Sequence, residues 1–137
     1  MHKKLNSPFL ISFPSIGDST IGYLSVSEEL ISVPFTIARV YWTYHTPQSV
    51  IRGGHANITK ELVLVAVAGN IVVEVEMLDG YKETYELSHP SKGLYIPPLC
   101  WHRMQYSHNA VQMVMASNLY NADDYIRDYK VFKAYEK

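Results

Sequence analysis

Two stretches of the chain that each contain a histidine hold the side chains best suited to chemistry. In the first, His55 and Asn57 are two residues apart, so on an extended segment their side chains point to the same side. The preceding Gly53 and Gly54 let the backbone pass close to a bulky group, and Arg52 offers a planar guanidinium suited to phosphate or carboxylate. This stretch therefore predicts a site for a phosphorylated ligand.

The second stretch ends in Trp101 and His102. In a small barrel, a strand carrying His102 can lie beside the strand carrying His55, with Trp101 as an aromatic wall. Elsewhere Arg39 and Tyr41 share one face of a further predicted strand. Together these side chains predict a cationic interior lined by aromatic rings.

The composition indicates one soluble domain, residues 1–137, with residues 1–8 as an N-terminal tail. The 137 residues are 47% hydrophobic and 18% charged, which is enough apolar material for a core of its own. A net charge of -1 provides no broad positive field for a nucleic-acid partner. The longest apolar run, residues 62–69, is far shorter than the roughly 20 residues of a membrane helix. We therefore expect a cytoplasmic protein with neither a nucleic acid nor a membrane as partner.

The spacing of glycine and proline predicts an all-β body of short strands joined by tight turns. Gly69-Asn70 and Asp79-Gly80 are typical hairpin turns, because these residues tolerate a positive φ. Residues 62–68 are apolar on both faces, which predicts a strand covered on both sides or used in a subunit interface. The expected strands are residues 9–13, 21–26, 37–44, 61–68, 71–77, 82–87, 93–96, 102–106 and 111–117.

The tail, residues 121–136, changes period and predicts a C-terminal α-helix packed across the barrel or against a dimer partner. Asn121 can cap this helix, and Asp123 and Asp124 in its first turn would suit the helix dipole. Three aromatic residues then recur at helical spacing and would form one stripe: Tyr125, Tyr129 and Phe132.

The order of these motifs resembles the cupin fold, a double-stranded β-helix also described as a jelly-roll barrel. The resemblance rests on a glycine-rich His-x-Asn-x3-Glu segment, a later glycine and a Pro-x4-His segment. The chain is similar in more detail to the sugar nucleotide 3,4-ketoisomerases, over residues 15–135. The segments that carry this similarity are residues 34–41, 52–56, 93–102 and 116–129, and the Arg-Gly-Gly-His-Ala and Asp-Tyr-Ile-Arg motifs are its most specific parts.

The resemblance implies an isomerase that moves the keto group of a dTDP-4-keto-6-deoxyhexose from C4 to C3 through an enediol. It also implies a homodimer, no metal or other cofactor, and a place in deoxysugar and surface polysaccharide synthesis. His55 would be the base that takes the C3 proton, with Tyr41 or His102 as its proton partner. The residues expected to hold the substrate are Arg39 and Arg52 at the pyrophosphate, Asn57 at the sugar and Trp101 along the wall.

Two departures from the family pattern bear on that expectation. Asn57 stands where most of the family has a second histidine, and an amide can orient a group but cannot carry a proton. Near the start, the segment from Asp18 to Gly22 reads Asp-Ser-Thr-Ile-Gly and lacks the arginine that the family often has there.

These departures leave three alternatives to the ketoisomerase. One is a dTDP-sugar-binding cupin whose catalysis is impaired. Another is an enzyme similar to the dTDP-sugar 3,5-epimerases. The third is a metal-dependent cupin enzyme, such as an oxygenase, in which His55, Glu61 and His102 would be the ligands.

Overall fold

The computed structural model describes residues 6–137, so most of the tail expected over residues 1–8 lies outside the described residues. The polypeptide in this range is built almost wholly of antiparallel strands. In chain order they are β1 (Phe9–Ser12), β2 (Ser15–Asp18), β3 (Gly22–Ser25), β4 (Arg39–Tyr44), β5 (Ile51–Asn57), β6 (Leu62–Ala68), β7 (Ile71–Met77), β8 (Lys82–Leu87), β9 (Lys92–Ile96), β10 (Cys100–Tyr106), β11 (Val111–Ala116) and β12 (Tyr125–Ile126).

Two five-stranded sheets face each other, as the cupin jelly roll requires. The first has the order β1-β9-β6-β11-β4, the second has the order β12-β5-β10-β7-β8, and β2 and β3 pair separately. A short helix, α1 (Tyr129–Lys133), follows the last strand. The predicted fold class, an all-β cupin double-stranded β-helix with a C-terminal α-helix, is confirmed.

The apolar strand β6 is covered on both faces from Leu62 to Ala66, which confirms one of the two interpretations of its sequence, whereas Val67 near its end is 46% exposed. Leu62, Leu64 and Ala66 belong to the core between the sheets. Val63 and Val65 belong to a second cluster on the outer side of the same sheet, which also contains buried Val33 and Phe35 from the segment before β4. Because both faces are buried over most of the strand, its sequence does not alternate between apolar and polar residues.

The two predicted hairpin turns have different outcomes. Asp79-Gly80 joins β7 and β8, which pair along their length, so this hairpin is confirmed. The hairpin predicted at Gly69-Asn70 is wrong, because β6 and β7 lie in different sheets and the turn is a corner between them. A Cβ at Gly69 would lie 2.6 Å from the Cα of Ala110, so the corner packs directly against the β10–β11 turn.

The helix predicted over residues 121–136 is wrong in extent. Only a 3-10 turn at Ala122–Asp124 and the five-residue α1 are helical, and β12 separates them. Asn121 does cap the 3-10 turn, by accepting a hydrogen bond from the backbone N–H of Asp123, but Asp128 caps α1. Tertiary hydrogen bonds override the local helical pattern, because β12 pairs with β5 and becomes an edge strand of the second sheet.

The sequence pattern places His55 on a strand without giving bounds for it, and it does not predict β2 or β12. Both glycines before His55 lie within β5, at φ of +82° and +70°. Among residues 6–137, no helix combines the length and the apolar character needed to cross a membrane.

Replacing Gly53 by alanine should destabilise the fold more than the same change at Gly54. Both positions have positive φ, which costs an alanine about 1–2 kcal/mol. A methyl group at Gly53 would in addition lie 2.8 Å from the backbone oxygen of His102, whereas nothing lies within 4 Å at Gly54. Urea unfolding of both variants should show an extra loss of about 1–3 kcal/mol for Gly53→Ala. Equal losses would contradict the close packing of β5 on β10.

Candidate active site

The two histidines singled out in the sequence lie opposite each other on paired strands. His55 in β5 is the register partner of His102 in β10, and their rings meet edge to face with centroids 4.6 Å apart. On β10, His102 shares the inner face with Cys100 and Met104, which belong to the core between the sheets. The expectation that the two strands are neighbours is therefore confirmed.

An irregularity in this pairing brings an arginine onto the same inner face. Between His102 and Arg103 the register shifts, so that β5 has one residue more than β10. Arg52 thereby pairs with Met104, although it is three residues from His55 and would otherwise point to the opposite side. The glycines allow this bulge, which explains why Arg52 and His55 serve one site.

The His55 imidazole is held neutral. Burial lowers its pKa from 6.5 to about 3, with further lowering by His102, Arg127 and Lys60. The backbone of Gly53 acts in the opposite direction and raises the pKa of His55. A neutral imidazole carries its proton on one ring nitrogen. The other ring nitrogen keeps its lone pair, which a general base requires.

His102 forms the floor of the site and is only 1% exposed. Its Nδ1 lies 3.0 Å from the carbonyl oxygen of Cys100 and must donate to it, which leaves Nε2 as the acceptor. Burial lowers the pKa of His102, so this ring is neutral as well.

Asn57 has a buried amide that the fold does not satisfy. The residue is 3% exposed, and its Nδ2 has no hydrogen-bond partner among the described residues. Its backbone carbonyl accepts a hydrogen bond from Leu99 N at 2.7 Å, and the residue is the register partner of Tyr125 in β12. A buried donor without a partner lowers the stability of the fold by about 1–3 kcal/mol, so a ligand oxygen that accepts a hydrogen bond from this amide would bind favourably here.

Arg39 and Tyr41 lie on β4 in the facing sheet, and their side chains contact each other in the space between the two sheets. The guanidinium carbon of Arg39 lies 4.5 Å from the centroid of the Tyr41 ring, which is partly buried against the core. Burial and the neighbouring Tyr125 raise the pKa of Tyr41, against the opposing charges of Arg39 and Arg52. The prediction that Arg39 and Tyr41 share a face with each other is confirmed.

Sequence reasoning missed three residues that border this site: Lys60, Tyr125 and Arg127. The ammonium of Lys60 donates to the Tyr125 hydroxyl at 3.1 Å, and the Arg127 guanidinium lies 4.3 Å from the centre of the Tyr125 ring. Tyr125 and Arg127 belong to the specific Asp-Tyr-Ile-Arg motif, which was the available signal. The helical reading of that segment concealed their position.

The charges that act on this cluster are all positive. Arg127 and Lys60 act on His55, Arg39 and Arg52 on Tyr41, and Lys60 and Arg39 on Tyr125. Arg52 and Arg127 are exposed, whereas Asn57 and His102 are buried. The cluster therefore combines buried polar side chains with positive charges, two of them on exposed guanidinium groups, and this charge attracts an anionic ligand.

Trp101 does not join this site. It lies on the outer face of β10, with its ring 5.4 Å from that of Tyr129 and 5.6 Å from that of Phe132. It borders an outer groove of about 630 Å3 whose charged groups include Glu76, ion-paired with Lys133. The expected role of Trp101 in substrate binding conflicts with this placement, because neighbouring residues of a strand point to opposite faces.

The three ligands of the metal-dependent alternative are not brought together. Glu61 accepts a hydrogen bond of 2.6 Å from Tyr95, which belongs to the cluster on the outer side of the first sheet. Within residues 6–137 no group of three or more His, Cys, Asp and Glu side chains is arranged to hold a metal ion.

Comparison with known proteins gives consistent results. The family model described as "FdtA: WxcM-like, C-terminal" matches residues 6–137. The TDP-4-oxo-6-deoxy-alpha-D-glucose-3,4-oxoisomerase of Aneurinibacillus thermoaerophilus is 41% identical over 128 residues, which are 92% of this chain and 90% of that protein.

Two solved structures are similar over nearly their whole length. QdtA, a sugar 3,4-ketoisomerase from Thermoanaerobacterium thermosaccharolyticum in complex with TDP, has a TM-score of 0.88 and 34% identity, covering 95% of this chain and 94% of that one. The WlaRB TDP-quinovose 3,4-ketoisomerase from Campylobacter jejuni has a TM-score of 0.86 and 33% identity, covering 92% and 96%.

The neutrality of His55 predicts a particular loss of stability in acid. Because folding lowers its pKa from 6.5 to about 3, the unfolded chain binds more protons than the folded protein between these values. The contribution of His55 to the free energy of unfolding should therefore fall as the pH falls from 6.5 toward 3. Urea unfolding at pH 7 and pH 5 should show a smaller acid loss in His55→Gln than in the wild type. An equal loss would contradict a buried neutral imidazole.

Proposed function

This chain belongs to the FdtA family of WxcM-like proteins, and we propose that it is a sugar nucleotide 3,4-ketoisomerase. Its substrate would be a dTDP-4-keto-6-deoxyhexose, whose keto group moves from C4 to C3. The observation that carries the proposal is the neutral His55 imidazole beside His102, with the cations Arg127 and Lys60 acting on it. The relatives named as TDP-sugar 3,4-oxoisomerase and 3,4-ketoisomerases support the choice of reaction.

His55 acts as the base that removes the C3 proton. In the free protein its low pKa makes it a weak base, since burial and nearby cations disfavour the imidazolium. A bound diphosphate brings negative charge beside those same cations. This charge favours the imidazolium and raises the pKa of His55 toward the range that general-base catalysis needs.

Asn57 stabilises the oxygen at which charge develops. Removal of the C3 proton places negative charge on the C4 carbonyl oxygen, and a preorganised donor facing that oxygen lowers the barrier. The Nδ2 of Asn57 is such a donor, because the protein itself leaves it without a partner among the described residues. This role needs no proton transfer by the amide.

The other predicted residues lie in the same cluster and complete the proposal. Arg39 and Arg52 bind the pyrophosphate, and Arg127 adds a third guanidinium. His102 touches the His55 ring and sets its position, and Tyr41 lies beside Arg39. Tyr41 and His102 are the proton partners that the sequence predicts.

We also propose that two copies of the chain form a homodimer through the outer side of β4. This strand is an edge of its sheet, and its outward side chains are exposed although they are large and apolar. They are Val40, Trp42 and Tyr44, with 46%, 62% and 57% exposure.

The reaction would take place in the cytoplasm, where the free thiol of Cys100 is stable.

Incubation of dTDP-4-keto-6-deoxyglucose with the protein in D2O tests the reaction directly. NMR should show a 3-keto product and deuterium at C3 or C4, at a rate that EDTA leaves unchanged. His55→Asn should lower this rate by about 100- to 10,000-fold while dTDP still raises the melting temperature. Thermal stabilisation by dTDP without any exchange or product in the wild type would favour the catalytically impaired binding protein, and altered stereochemistry at C3 or C5 would favour an epimerase.

Replacing Trp42 by glutamate should separate the proposed dimer. A carboxylate at the centre of an apolar interface loses its hydration, so the association constant should fall steeply. Sedimentation velocity should show a dimer for the wild type and a monomer for Trp42→Glu. Val72→Glu is the control, since Val72 is an exposed apolar residue of the other sheet. A wild-type monomer would overturn the dimer proposal.

A further inference from the structure

A group besides His55 can carry the second proton of the reaction, and Asn57 cannot be that group. Moving the keto group requires one proton to leave C3 and another to arrive at C4. Tyr41, His102 and Tyr125 lie in this cluster beside His55, and each has a proton to exchange on an imidazole or phenol.

Tyr125 enters the site through β12, the short strand that replaces the predicted helix. It pairs with Asn57 in β5, and its ring lies 4.9 Å from the ring of His55. Its chain neighbour Ile126 points the other way, into the outer cluster around Phe132. The pairing therefore delivers a phenol to the same face of the sheet as the proposed base.

The Tyr125 hydroxyl is held by cations. Lys60, which is 1% exposed, donates from its ammonium to this hydroxyl at 3.1 Å. The Arg39 guanidinium also acts on this hydroxyl and lowers its pKa. The Lys60 nitrogen also lies 4.6 Å from the centre of the Tyr125 ring. A buried lysine costs free energy unless it is paired, so this contact is a built feature of the site.

Those cations make the phenol a stronger acid. Burial alone would raise the pKa of Tyr125, but the hydrogen bonds and charges of Lys60 and Arg39 outweigh it and hold the pKa below the usual value of 10. A general acid transfers its proton most effectively when its pKa lies near the working pH. The titratable and charged groups around the phenol are Lys60, Arg39, Arg127, His55, Tyr41 and Tyr120.

The two other candidates are less suited to this task. The pKa of Tyr41 is raised by burial, which makes its hydroxyl a weaker acid than an ordinary tyrosine. The protonated nitrogen of His102 is engaged with the carbonyl of Cys100, and the ring is almost wholly buried beside His55.

We propose that the Tyr125 phenol is the second proton carrier of the isomerisation and that Lys60 positions and polarises it. The proposal rests on the ketoisomerase function. Tyr125 is then a catalytic residue, and Lys60 is a positioning residue that acts through it.

The proton transfers balance without an external oxidant or reductant. His55 takes the proton from C3, the C3–H electron pair forms the C3–C4 double bond, and the C4 carbonyl electrons move to O4. His55 returns its proton to O4, which gives the enediol. The double-bond electrons then take the Tyr125 proton at C4, O3 forms the new carbonyl, and its proton passes to the phenolate. C3 is oxidised and C4 is reduced, and both side chains regain their starting states.

Tyr125→Phe separates the two halves of this sequence. The variant keeps the ring and the β12 pairing but loses the proton, so 3-keto product should form about 100- to 1,000-fold more slowly. Exchange of the C3 proton with D2O should continue within a few-fold of the wild-type rate, because His55 is intact. Tyr129→Phe is the matched control, since that hydroxyl bonds Glu76 on the outer face of the sheet.

Lys60→Met tests the positioning role through the pH profile. Tyr125 must be protonated to donate, so kcat falls when the pH rises through its pKa. Loss of the Lys60 charge raises that pKa, which should move the basic limb of kcat to higher pH and lower kcat at pH 7, with KM nearly unchanged. Lys60→Arg retains the cation and should restore most of the wild-type profile.

The outcomes distinguish the inference from the function on which it rests. A wild type that neither exchanges C3 nor forms product overturns both. With an active wild type, the inference alone is overturned if Tyr125→Phe forms product at the wild-type rate, or raises KM without lowering kcat. Parallel loss of C3 exchange and product in a variant that melts like the wild type and still binds dTDP overturns it too.

Discussion

The buried carboxylate of Asp124 joins the segment that carries Tyr125 to the turn between β5 and β6 that carries Lys60. Asp124 is 8% exposed and accepts hydrogen bonds from Thr59 N at 2.9 Å, Thr59 Oγ1 at 2.7 Å and Lys60 N at 3.2 Å. Its own carbonyl accepts from Ile58 N at 2.8 Å. Hydrogen bonds to a charged group contribute about 1.5–3 kcal/mol each. Lys60 makes one of these bonds through its backbone, and Tyr125 directly follows Asp124 in the chain. The bonds therefore fix the position of Tyr125 relative to Lys60.

The same site combines buried neutral imidazoles with positive charges, and this combination has a chemical purpose. Burial and nearby cations both disfavour protonation of His55 in the free protein, so the proposed base would be unprotonated before a substrate binds. In the proposed function an anionic diphosphate would offset these positive charges on binding. The ligand would then balance the electrostatic cost of placing like charges close together.

Strand β10 serves two sides of the molecule at once. His102 faces the pocket, while Trp101 packs with Tyr129 and Phe132 against the outer face of the sheet. The outer cluster fixes α1 and the end of β12, and so supports the position of Tyr125 from behind. A residue that reads as a binding wall in the sequence thus contributes to the site by packing rather than by contact with a ligand.

The fold class, the apolar strand β6 and the shared side of His55 and Asn57 could be predicted from the sequence, because alternation along strands and local motifs are properties of short segments. The path of residues 121–136, the corner at Gly69 and the outward position of Trp101 could not. Each depends on partners distant in the chain: Asp124 on Thr59, Gly69 on Ala110, and Trp101 on Phe132. Local preference for a helix or a hairpin is weak, and these long-range contacts outweigh it.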